Sequence, residues 1–80
     1  MTITVYAKRT GCQQCIALKR ALDAKGIIHS VTYADESDDA REFLGRMGVT
    51  SVPAVFEDGV LRFIGFLPDE VAKLASAAGR

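Results

Sequence analysis

"RTGCQQCIALKRAL", residues 9–22, decides how the rest of the chain is read. It holds both cysteines, Cys12 and Cys15, separated by Gln13 and Gln14. Just upstream, "TITVY" (2–6) alternates β-branched residues, with Ile3 and Val5 on one face, which is a strand signal. Downstream, Cys15, Leu18 and Leu22 recur at helical spacing with Ala21 alongside, and Gly26 stands where a helix would close. The C-x-x-C pair therefore falls where a strand gives way to a helix. Three chemistries are open to it there: a structural staple, a metal clamp or a reactive dithiol.

The remaining elements follow outward from that junction. "IIHSVTYA" (27–34) reads as a second strand. "DESDDAREFLGRMG" (35–48) places its acids at the front, as a helix N-terminus prefers, and carries a stripe of Ala40, Phe43, Leu44 and Met47 closed by Gly48. "AVFEDGVLRFI" (54–64) predicts two strands joined by a type I′ turn at Asp58-Gly59. Pro68, Asp69 and Glu70 open a last helix with the stripe Val71, Leu74, Ala75 and Ala78. The expected order is β-α-β-α-β-β-α. The first βαβ unit requires a parallel pair and the hairpin an antiparallel one, giving a mixed four-stranded sheet flanked by three helices.

Composition narrows the function. Eighty residues make one domain, 1–80. A chain of that size buries only about 60–65% of its unfolded surface. Ten basic and ten acidic residues cancel, so there is no electrostatic case for nucleic acid or an anionic membrane surface. No apolar run approaches the roughly 20 residues that span a bilayer. "MTITVYAKRT" lacks a continuous apolar h-region and puts its charges after the apolar part, so it does not read as a signal peptide. The expected location is the cytoplasm. There a disulfide across a four-residue loop would stabilise by roughly 2 kcal/mol at most, and the glutathione pool would oppose it. A closed zinc site needs four ligands, and the chain offers Cys12, Cys15 and His29 in a strand. No metal is expected.

The dithiol reading has a physical basis. Cys12 lies at the helix N-terminus, where unpaired N–H groups favour a thiolate, and Lys8 and Arg9 add positive charge nearby. A free thiol is about 3% ionised at pH 7, and lowering its pKa to about 7 requires about 2 kcal/mol. Cys15, one turn further in, is the more buried of the two. The expected division of labour is that Cys12 attacks a target disulfide and Cys15 resolves the mixed disulfide. Gln13 and Gln14 leave the attacking sulfur open, or are simply exposed helix positions. In "TSVPAV" (50–55), Pro53 is open to two readings: an ordinary strand-entry proline, or a cis Val-Pro bond that bends the chain and exposes the Val52 backbone.

Taken together, these stretches resemble the thioredoxin superfamily and, more narrowly, the NrdH-redoxins, small glutaredoxin-like electron donors to class Ib ribonucleotide reductase. "ITVYAKRTGCQQCIALKRAL" is similar to that family's opening, including C-x-Q-C through Cys12, Gln14 and Cys15. "GVTSVPAVFEDG" resembles its cis-proline segment, and Gly65, Phe66, Pro68 and Asp69 resemble its G-F-R-P-D ending. The resemblance implies a thioredoxin fold, a cis Pro53, and a partner groove shaped by Val52 and Pro53 and flanked by Gln13, Gln14, Gly65, Phe66 and Leu67. It implies a monomer with no bound cofactor beyond the redox-active Cys12–Cys15 disulfide. Electrons would come from NADPH through the flavoprotein thioredoxin reductase and go to the ribonucleotide reductase large subunit. Glutaredoxins that bind glutathione carry a G-G-x-D-D-like turn, whereas this chain has Gly65-Phe66-Leu67-Pro68-Asp69. It also departs from the family's W-S-G-F-R-P at Phe63, Ile64 and Leu67. Phe63, Phe66 and Leu67 then either form an apolar patch beside the dithiol or fill the core.

Overall fold

The computed structural model describes residues 2–78, with side chains to Ser76. Strand β1 (Ile3–Ala7) leads to helix α1 (Gln13–Ala24), strand β2 (Ser30–Tyr33), a single 3-10 turn (Ala34–Glu36) and helix α2 (Asp38–Arg46). Strands β3 (Ala54–Glu57) and β4 (Val60–Ile64) and helix α3 (Pro68–Ala78) complete the chain. The sheet order is β2-β1-β3-β4. β1 and β2 run parallel, with Val5 opposite Val31, and the other neighbours are antiparallel. This is the mixed four-stranded, three-helix architecture expected from the sequence.

The pleat of β1 divides the interior. Ile3, Val5 and Ala7 join Cys15, Leu18 and Leu22 of α1 and Val71 and Leu74 of α3 in one cluster. On the opposite face Ala40 and Leu44 of α2 meet Ala54 and Phe56 of β3, and Tyr6 and Phe43 pack against them. The hairpin is as expected: Asp58 (φ 52°) and Gly59 (φ 83°) both take the left-handed values that a type I′ turn needs. The Asp58 N–H donates to the Thr2 carbonyl, and the Thr2 N–H donates back to the Asp58 carboxylate, both at 2.8 Å.

Three expectations need correction, and two share one cause. Helices α1 and α2 both end in a Schellman motif. Gly26 donates to Asp23 and Ile27 to Leu22; Gly48 donates to Gly45 and Val49 to Leu44. In each case the residue after the glycine is drawn into the core against the partner it bonds. Ile27 is therefore part of a helix cap, Ile28 is left 92% exposed, and β2 begins at Ser30, not at residue 27. Likewise Met47 caps α2 and is 44% exposed, and Val49 takes the buried place expected of it. The third correction concerns the helix start. Ser37 Oγ accepts the Ala40 N–H at 3.2 Å, so α2 begins after Ser37 and the acids before it form a separate turn. In α3, Val71 and Leu74 are buried and Ala75 half-buried, while the Ala78 side chain lies outside the described residues.

Candidate active site

Gly11, at φ +71°, turns the chain from β1 into α1. Cys12 follows in an extended conformation as the N-cap, and its sulfur accepts the Cys15 N–H at 3.2 Å. Sulfur thus occupies the place a serine or aspartate oxygen usually takes at a helix start, where the field favours negative charge. Cys12 is half-buried and Cys15 is 1% exposed. Their Cα atoms are 5.3 Å apart and the two sulfurs are joined. That spacing sits in the ordinary range for a disulfide.

The structure brings most of the expected neighbours to this point. The Val52–Pro53 peptide is cis. Cys12, Val52 and Phe66 all rest on the cluster that buries Cys15. The Pro53 carbonyl accepts the Gly65 N–H at 2.7 Å. A Cβ on Gly65 would come within 3.3 Å of Gln14 Oε1. Gln14, Gly65 and Pro53 therefore lie in sequence around one side of the dithiol. Among the described residues, no backbone hydrogen bond engages the Val52 peptide. Gln13 and Gln14 are both exposed.

The aromatic and apolar residues divide. Phe63 is 7% exposed and fills the core, whereas Phe66 is half-buried and Leu67 is 44% exposed. The surface patch is thus Phe66 and Leu67 without Phe63. Ile16, one turn beyond Cys12 on α1, is a further exposed apolar side chain, at 43%. It was not singled out from sequence, although its i, i+4 spacing from Cys12 was the available signal.

The nearby cations are not equivalent. Lys8 is exposed and lines a cleft of about 440 Å³ that runs past Val52 to Leu44 and Val49. Arg9 is engaged elsewhere. Its backbone N–H donates to both Asp35 carboxylate oxygens, at 3.2 and 3.1 Å. Its guanidinium pairs with Glu36 and lies over the Tyr33 ring, 4.1 Å from the centroid. Lys19 Nζ donates to the Tyr33 hydroxyl at 2.8 Å. These contacts tie the loop before Cys12 to the end of β2. His29 lies just before β2 and not within a strand as expected, with Nδ1 2.9 Å from the Ile27 carbonyl. Among the described residues no group of three His, Cys, Asp or Glu is placed to hold a metal ion.

A cysteine that caps a helix, bonded to a buried cysteine one turn on, gives the fold its chemistry: the molecule is a thiol–disulfide oxidoreductase of thioredoxin-like architecture. Comparison with known proteins narrows this. The glutaredoxin family model matches residues 3–62. The glutaredoxin-like protein NrdH of Escherichia coli K12 is 36% identical over 77 residues, or 96% of this chain and 93% of that one. NrdH of Lactococcus lactis subsp. cremoris is 36% identical over 73 residues, covering 91% of this chain and 99% of its own. The solved structure of E. coli NrdH-redoxin superposes with a TM-score of 0.83 at 32% identity, covering 92% of this chain and 95% of the other. The chain belongs to the glutaredoxin family, on its NrdH branch.

Proposed function

We propose that the protein is a cytoplasmic protein-disulfide reductase that passes electrons from thioredoxin reductase, and ultimately NADPH, to the large subunit of ribonucleotide reductase. The observation that carries the reading is the unequal pair: a half-exposed Cys12 at a helix N-terminus bonded to a fully buried Cys15. Once reduced, Cys12 is the sulfur a partner can reach and the one whose thiolate the helix favours. It attacks the partner's disulfide, and Cys15 attacks Cys12 to release the reduced partner. The unpaired Val52 peptide offers hydrogen bonds to an extended partner segment beside Pro53. Gln13, Gln14 and Gly65 border that segment, and Ile16, Phe66 and Leu67 provide an apolar rim for it.

Two features favour recycling by thioredoxin reductase over glutathione. Pro68 opens α3 without an N–H donor, and Phe66 stands where glutathione-binding turns carry their second glycine. The relative of known structure is itself described as having a thioredoxin-like activity profile. An NADPH-coupled insulin-reduction assay tests the reading, run once with thioredoxin reductase and once with glutathione plus glutathione reductase. Turnover with the first is expected. Turnover confined to the second would leave a glutathione-dependent glutaredoxin. A Cys15→Ser variant incubated with the oxidised large subunit should accumulate a covalent adduct, and its absence would remove that partner.

A further inference from the structure

Resting on the relay just described, the surroundings of Cys15 bear on where its proton goes. Its sulfur lies in a cluster that β1, β3, β4 and α3 supply with hydrocarbon alone, Val5, Val55, Phe63 and Val71 among them. No polar or charged residue is buried among the described residues. Among the described residues, the half-buried titratable groups on the surrounding elements are occupied or turned elsewhere, including His29 ahead of β2, whose Nδ1 stands 2.9 Å from the Ile27 carbonyl. Tyr33 of β2 takes a hydrogen bond from Lys19 of α1 at 2.8 Å. Glu70 of α3 is engaged by Lys73 at 3.1 Å. Glu57 of β3 pairs with Arg62 beside the hairpin, and Tyr6 of β1 packs on the opposite sheet face. Cys12 itself is the sulfur under attack.

We propose that the protein supplies no base to its resolving thiol, so that release of the partner waits on proton loss from Cys15 to water. The Cys15 thiol gives its proton to hydroxide, and the resulting thiolate attacks Cys12 Sγ. The bond from Cys12 to the partner's sulfur breaks, and the electron pair leaves on that sulfur, which takes a proton from water. The two cysteines end oxidised by two electrons and the partner disulfide reduced by two. Burial in hydrocarbon disfavours the Cys15 thiolate, and the N-terminus of α1 offsets only part of that cost. The mixed disulfide is therefore long-lived in mildly acidic solution and short-lived in alkaline solution.

The test uses the reduced full chain and an aromatic nitrobenzoate disulfide, whose leaving thiolate is coloured and needs no proton to depart. Stopped-flow absorbance separates a first release, from attack by Cys12, and a second, from closure by Cys15. The second rate should rise about tenfold per pH unit between about pH 6 and about pH 8. Lys19→Met and Glu70→Gln should leave that slope unchanged. A second rate that levels off at or below neutral pH, or a slope that either variant alters, would overturn the proposal by revealing an internal base. A Cys12→Ser variant that gives the same first release would instead overturn the relay reading, and this inference with it.

Discussion

The two faces of the sheet are covered differently. On the dithiol face, α1 and α3 press aliphatic side chains onto β1, and Cys15 is one of the residues that fill the layer. On the other face a single nine-residue helix, α2, does the covering. Three rings supply the bulk there: Tyr6, Phe43 and Phe56, with centroids 5.3 to 5.6 Å apart. Aromatic packing gives a short helix more buried area per residue than aliphatic packing does. The face that carries chemistry is thus built around a reactive atom, the other face is held by stacked rings, and Val52 packs against both layers.

That contrast can be broken by substitution. Leu18→Ala, in the layer that holds Cys15, should cost about 2–5 kcal/mol in urea denaturation. It should also change the rate at which Cys15 closes the disulfide. Phe56→Leu, on the opposite face, should cost about 1–1.5 kcal/mol by the same measurement. Cys12 alkylation and Cys15 closure in the folded Phe56→Leu variant should match the parent within twofold. Equal disturbance of the thiols by both changes would mean that the faces are not chemically separate. Ser37→Ala removes the α2 cap and should cost about 1 kcal/mol, again without touching the thiols. Glu36→Gln removes an ion pair whose side chains are 55% and 49% exposed. Its thermal unfolding midpoint should stay close to the parent's, and closer still in high salt.

How much of this was legible in the sequence depended on distance along the chain. The Asp58-Gly59 turn, the dithiol at a helix start and the core stripe of α1 rest on neighbours a few residues apart, and each stands as read. The parallel β1–β2 pair and the antiparallel hairpin followed from connection rules that need only element order, whereas the placing of β1 beside β3 was not read from the sequence. What escaped was the use made of residues past each glycine cap. Ile27 and Val49 are claimed by the helices before them, a choice settled by core space on the opposing strands and invisible to periodicity. Arg9 was read as part of the field at Cys12, but it bonds Asp35 and Glu36, both more than 25 residues away. The approach of Gln14 to the space beside Gly65 and the cleft behind Val52 likewise exist only once distant segments meet.

The near-complete exposure of Ile28 has a practical meaning. β2 runs parallel to β1, so Ile28 stands at the end of the sheet where β1 begins, while the dithiol follows the end where β1 stops. The five residues of β1 separate the two by about 17 Å. A dye, spin label or tether grafted at Ile28 would ride on the pole away from the reacting sulfurs. Immobilised through that handle, the molecule would face incoming proteins dithiol first.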